Sequence, residues 1–337
     1  MNSSFNIPVA LFIFKRKDTV LQILEVLSKV KPNKIYLLSD GGRDKEEKKI
    51  VDDCRSTIEN SINWNCEIIK KYHIDNVGVY SNIAEGAKWV FSQEEKAIFL
   101  EDDNLPEDTF FEYCENLLNK YEQDSRILWI CGSNYLEDVQ TSDNSSYFFT
   151  KNMLPCGWAS WAYKFNKYYD GELKLWQSDY LRKRIKDEYV VKKLYKQDRY
   201  NIEYELEHKN KTGRFYSWDY QMSFSMRVHN VYAIIPKYNQ IKNIGVDNNS
   251  THGGNSLDNV MVERFCERKT KKLEFPLIHP KSVLIDIPLD ERLAHIIIDP
   301  SFFSFKSLIS RTIRNIFKID KSMSLLTYFK MLKNGKK

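Results

Sequence analysis

The feature that most constrains this chain is an alternation along its first 135 residues: short apolar runs separated by stretches of helical periodicity. "PVALFIF" (8–14) is a continuous apolar run, as expected of a strand covered on both faces. Behind it Val20, Ile23, Leu24, Leu27 and Val30 share one helical face, with Asp18 or Thr19 as cap and Pro32-Asn33 as stop. Further strands are expected over 34–39, 66–70, 96–100 and 127–132, and helices over 44–61, from a turn at 76–78 through 91, and over 107–121. Strands separated by helices of this length make a mostly parallel, doubly wound, Rossmann-like α/β sheet with right-handed crossovers.

That topology raises the question of "AIFLEDDNLPEDTFF" (97–111), where an apolar strand runs straight into Glu101, Asp102 and Asp103. Charge at the end of a core strand is costly unless it is paired or binds something. In open α/β sheets, ligands lie at the carboxyl ends of strands. Asp40, in "LLSDGG", and the Glu101–Asp103 cluster both fall at such ends. Hard carboxylate oxygens there suit Mg2+ or Mn2+, which bind through one or two carboxylates plus substrate phosphates. A solvated acidic turn capping the next helix accounts for the tripeptide equally well. Arg16, just past the first strand, is placed to touch a base or phosphate, or to be an ordinary solvated charge.

After residue 135 the alternation breaks down. "LPCGWASWAYKFNKYYDG" crowds Trp158, Trp161, Tyr163 and Phe165 together, and 178–211 is charged and helical. In "SWDYQMSFSM", Trp218-Asp219 opens a short helix with Met222, Phe224 and Met226 on its apolar face, and a strand follows over 232–236. The expected divisions are 1–135, an α/β nucleotide-sugar half; 136–300, an acceptor-side half of the same domain; and 301–337, a basic tail. That tail holds nine Lys or Arg and one acid, net +8, whereas the other 300 residues hold 42 bases and 45 acids. A slightly acidic body offers no phosphate-tracking surface, so no nucleic-acid partner is expected. Phe302, Phe305, Ile309, Ile313, Ile316 and Phe317 recur with cations between them, a pattern that suits a helix lying in an anionic membrane surface. Packing on the body or against a second protomer is the competing account.

The six cysteines form no Cys-x-x-Cys pair, which reads as reduced thiols in a cytoplasmic protein. The opening apolar run is short and its positive charges follow it, so a first strand is expected rather than a signal peptide. The expected location is the cytoplasm, peripheral on the inner face of the cytoplasmic membrane.

Five stretches, in order, carry a resemblance: "FKRKDT", "LLSDGG", "NVGVYSNIAEGAKWVF", "AIFLEDDNLPEDTFF" and "GWASW … SWDYQ … NIG … STH". Over about residues 7 to 255 the chain resembles bacterial GT-A glycosyltransferases of the family-2-like group, related in layout to the N-acetylglucosaminyltransferase I type. The resemblance implies a GT-A fold, a nucleotide-sugar donor, a divalent cation (Mn2+ or Mg2+) and inverting transfer to a saccharide or lipid-linked saccharide acceptor, as in surface polysaccharide synthesis. The acidic triplet takes the place of that family's DXD motif. Asp103 would be the metal ligand, and Glu101 and Asp102 would meet ribose and sugar hydroxyls. Because it reads Glu-Asp-Asp, one firm protein ligand remains. Asp40 would meet the donor base, or serve as a turn residue in Asp-Gly-Gly. Asn76 and Gly78 would shape a loop under the donor. Asp219 would be the general base, or a helix cap. Trp158, Trp161 and Trp218 would stack on the acceptor, or pack in the core. His252 would be a second metal ligand or a pyrophosphate contact.

Two alternatives belong to other classes. A nucleotidyltransferase acting on sugar phosphates generally needs a Gly-rich basic loop after its first strand, and "FKRKDT" has no Gly. An inactive carbohydrate-binding scaffold would have no need of Glu101–Asp103 and Asp219 together.

Overall fold

A computed structural model describes residues 5–246, 260–319, 321 and 323–334. Ten strands are present among them: β1 Val9–Ile13, β2 Lys34–Ser39, β3 Glu67–Tyr72, β4 Lys96–Glu101, β5 Asn104–Pro106, β6 Ile127–Cys131, β7 Tyr147–Thr150, β8 Trp158–Trp161, β9 Tyr232–Pro236 and β10 Ile241–Asn243. Eight of them form one sheet in the order β3-β2-β1-β4-β8-β6-β9-β7, while β10 and β5 pair separately. β1 pairs in parallel with both β2 and β4, β2 with β3, and β6 with β9. The doubly wound, mostly parallel α/β expectation therefore holds.

The continuous apolar strands are explained by helices on both faces. Val9, Leu11 and Ile13 enter one core, with Val20, Ile23 and Leu27 of helix Lys17–Val30. Ala10 and Phe12 enter the other, with Ala84 and Ala87. A period of two along β1 thus serves two cores at once. β3 is one of the two edge strands, and its Glu67, Lys70 and Lys71 keep that edge from pairing further.

Three local expectations need correction. Helix Lys17–Val30 begins before Asp18 and Thr19, with Arg16 at its cap position; the Thr19 hydroxyl donates back to the Arg16 carbonyl at 2.9 Å. β3 begins at Glu67 and runs on to Tyr72. The charged stretch after 178 divides into Asp179–Arg184 and Lys192–Thr212, separated by a 3-10 turn.

The break after residue 135 marks a change of strand direction. β8 enters between β4 and β6 and runs antiparallel to both. Phe12, Phe99, Trp158 and Trp129, one each from β1, β4, β8 and β6, then stack across the sheet. Trp158 lies 4.0 Å from Phe99 and 4.0 Å from Trp129 between ring centres. Such cross-strand aromatic contacts add to burial in holding the strands in register.

Candidate active site

β4 delivers the acids. Glu101 is its last residue and pairs in register with Phe12 of β1, so the chain leaving β1 passes beside the acidic turn. Asn104, fully buried, holds that turn closed. Its side-chain carbonyl accepts from the Glu101 N–H at 3.2 Å and the Gly157 N–H at 2.8 Å, and its amide donates to Asp103 Oδ1 at 2.7 Å. β10 closes the other side. Asn243 pairs with Asn104, and the Ile244 N–H donates to the Asp103 carbonyl at 2.9 Å. Gly245 then lies against Asp103, where an added Cβ would come within 2.4 Å of Oδ2 and a larger residue would have to displace that carboxylate.

Arg16 reaches the same acids. Its Nη1 lies 3.0 Å from Asp103 Oδ2 and 3.5 Å from Asp102 Oδ1. Its expected place near a donor's base or phosphate is thus taken, in this structure, by the carboxylates. Even so, the acids are short of positive charge. Burial holds the Glu101 carboxyl well above the usual range, with Asp103, Asp102 and Asp219 adding to the effect and Arg16 opposing it. Burial and the Asp103 charge push Asp102 up to about 7. Burial also raises Asp103, against the pull of Arg16. A crowded, partly dehydrated cluster of this kind favours whatever cation can enter it.

Among the described residues, no group of three or more His, Cys, Asp or Glu side chains is arranged to hold an ion. The donors that are present, Asp103 with Asp102 beside it, fit a divalent ion that completes its shell with substrate phosphates. Ligation by protein alone does not fit. His252 lies outside the described residues.

Asp40, at the end of β2, is buried and already fully engaged. Oδ1 accepts from the Gly41 N–H at 2.8 Å and the Val77 N–H at 2.7 Å. Oδ2 accepts from the Gly78 N–H at 3.0 Å and from the Asn76 amide at 2.9 Å. These four bonds fill the acceptor sites of a carboxylate. Contact with a donor base would require one of them to be released, so the turn role is the one formed here. Asn76 likewise spends its amide on Asp40 and on the Gly41 carbonyl. Gly78 has a φ of +85°, which glycine adopts without strain. Asp40→Ala is expected to cost more than about 2 kcal/mol of unfolding free energy in urea titration, because several donors lose their acceptor at once.

Asp219 is the first residue of helix Asp219–Val228 and is partly exposed; the Ser217 hydroxyl donates to its Oδ1. It lies close enough to the acidic turn to raise the proton affinity of Glu101. The loop before it is held by Glu205, buried on helix Lys192–Thr212, which accepts from the Tyr216 N–H at 2.8 Å and the Ser217 N–H at 3.2 Å. Burial pushes the Glu205 carboxyl up to about 7, with a smaller contribution from Asp219, while the two N–H donors pull the other way.

A stability dependence on pH follows. Above the ordinary value of 4.5 the unfolded chain releases this proton, while the folded chain keeps it to about 7. The folded state then binds more protons, so the contribution of Glu205 falls as pH rises through that window and levels off above it. Glu205→Gln keeps an acceptor for both N–H groups and removes the titration. Its thermal midpoint relative to the parent should therefore rise steadily between about pH 5 and about pH 8; a flat difference across that range would refute the assignment.

The three tryptophans expected at the acceptor belong to the core. Trp158 and Trp161 are 1% exposed. Trp158 is enclosed in the aromatic stack, and Trp161 donates from Nε1 to the Leu118 carbonyl at 2.9 Å under the Lys164 ammonium. Trp218 is 4% exposed and packs on Trp129 and Trp158 at 6.0 and 5.9 Å. The cause is β8, which carries two of the indoles into the middle of a sheet covered on both faces. Two supporting residues escaped the sequence analysis. Asn104 carried a signal, as an Asn following an acidic turn. Glu205 carried none, since it looks like any other acid in a charged helix.

No family model matches the chain, and no curated protein does. Solved structures resemble it distantly. A mannosyltransferase from Pyrobaculum calidifontis, in complex with GDP-Man and Mn2+, is 8% identical with a TM-score of 0.33 over 48% of this chain; this chain spans 46% of that one. A 4-diphosphocytidyl-2C-methyl-D-erythritol synthase from Anaerococcus prevotii is 14% identical, TM-score 0.32, over 52% of this chain and 78% of that one. An apo UDP-glucose pyrophosphorylase is 10% identical, TM-score 0.37, over 70% and 93%. Likeness at this level carries no argument about activity.

Proposed function

We propose that the protein is an inverting, nucleotide-sugar-dependent glycosyltransferase that adds a sugar to a saccharide or lipid-linked saccharide, as surface polysaccharide synthesis requires. The observation that carries the reading is the pairing of two unlike acidic centres. One is a charge-deficient triplet at the end of the central strand β4, and the other is a separately held carboxylate, Asp219, within electrostatic reach of it.

Asp103, with Asp102 beside it, would hold a divalent cation together with the donor diphosphate. A cation so placed stabilises negative charge on the departing nucleoside diphosphate. The remaining work falls to the chain's own groups. Asp219 accepts the proton of the acceptor hydroxyl as its oxygen bonds to the anomeric carbon. The bond from that carbon to the phosphate oxygen breaks on the opposite face, which inverts the configuration. Arg16, now on Asp102 and Asp103, lies where it can turn to the donor phosphates once a cation takes over those acids.

The decisive experiment incubates the full chain with a panel of UDP- and GDP-sugars and Mn2+ and follows the nucleotide released. Nucleoside diphosphate, formed faster with an oligosaccharide acceptor, is the expected product. Pyrophosphate released from a nucleoside triphosphate and a sugar phosphate would instead establish the nucleotidyltransferase alternative. Sugar binding with no turnover would establish a scaffold.

A further inference from the structure

Helix Phe305–Phe317 is mounted with its faces reversed. A surface helix ordinarily buries its apolar stripe and shows its charges to water. Here Phe305, Ile309 and Ile316, which share one face, are 77%, 42% and 69% exposed. The opposite face carries Arg311, Arg314 and Lys318, which line a cleft of about 820 Å3 against helix Lys192–Thr212.

The charged side is the anchored one. The Arg311 guanidinium stacks 3.7 Å from the centre of the Phe302 ring. Just beyond the helix, Ile319 is buried, and Lys321 Nζ lies 3.1 Å from Glu203 and 2.8 Å from Glu207. Helix Leu325–Asn334 extends the apolar surface. Its Phe329 ring lies 6.5 Å from that of Phe317, and Leu326, Phe329 and Leu332 are exposed. A continuous apolar surface of this kind marks an interaction site.

Charge identifies the occupant. Residues 301–337 carry net +8, and exposed Lys306 and Lys330 accompany the apolar face. A second copy of the chain would bring the same positive charge against it. An anionic bilayer satisfies both features: acyl chains for the phenylalanines and isoleucines, headgroup phosphates for the lysines. No helix among the described residues is long and apolar enough to cross a membrane. A helix of 13 residues, about 20 Å long, suits lying in the interface.

We propose that these two helices form a docking face for an anionic membrane, with Phe305, Ile309, Ile316 and Phe317 inserted and the lysines at headgroup level. This face would dock whatever reaction the crevice performs, so its test is independent of the catalytic reading.

The test is flotation of the full chain with phosphatidylcholine vesicles containing about 30% phosphatidylglycerol at about 0.05 M salt. Binding should fall at least about tenfold on pure phosphatidylcholine, and again at about 0.5 M salt. The pair Ile309→Glu and Ile316→Glu should abolish it without lowering the thermal midpoint, because both side chains already face water. The pair Lys306→Glu and Lys330→Glu should weaken it as high salt does. Three results would overturn the proposal: no flotation at low salt, equal binding to neutral vesicles, or a dimer in light scattering that the Ile309→Glu and Ile316→Glu pair dissolves.

Discussion

Asp219→Asn is expected to lower sugar transfer by about a thousandfold, the scale of a lost general base, while donor binding stays within about twofold of the parent. The substitution is nearly isosteric. Asparagine can still accept from the Ser217 hydroxyl, and Glu205 continues to hold the Tyr216 and Ser217 N–H groups, so the loop keeps its shape. What disappears is a group able to take a proton. Calorimetry with the nucleoside diphosphate separates this role from a donor-side one, because a base acts on the acceptor. Parallel loss of binding and transfer would move Asp219 to the donor side of the crevice.

The second large effect is expected at Asp103. Asp103→Ala should cost about a hundredfold or more in turnover, the scale seen when charge stabilisation of a departing group is lost. Stability should not fall with it. The variant loses the 3.0 Å contact with Arg16 and the 2.7 Å bond from Asn104. It also removes one of three crowded carboxylates whose burial already makes ionisation costly. A thermal midpoint equal to or above that of the parent, with activity lost, is the expected pair of results. Near-normal turnover with Mn2+ present would remove Asp103 from the site.

Much of the first half of this protein was legible in its sequence. The apolar runs and the helical stripe behind the first of them predicted β1, β2, β4 and their covering helices to within a few residues. The reason is physical: a parallel strand buried on both faces must be apolar throughout, and a covering helix must show a 3.6-residue stripe. The acids at the end of β4 followed from the same logic, because strand ends in such sheets open on a crevice. The basic, amphipathic character of the tail was equally plain in the order of its residues.

Tertiary structure alone decided the rest. Periodicity reports that a residue is covered, but not by what. Trp158 and Trp161 read equally as rings for a sugar or as core, and the insertion of β8 between β4 and β6 placed them in the core. Asp40 read either as a donor-base contact or as a turn residue, and the loop at 76–78, remote along the chain, supplied donors for both its oxygens. Glu205 and Asn104 acquired their roles only when separate segments met around them. The tail shows the limit most directly. Its sequence determined that it would be an amphipathic helix, but the inward face was decided only where Arg311 met Phe302 and Lys321 met Glu203 and Glu207, leaving Phe305 and Ile316 exposed.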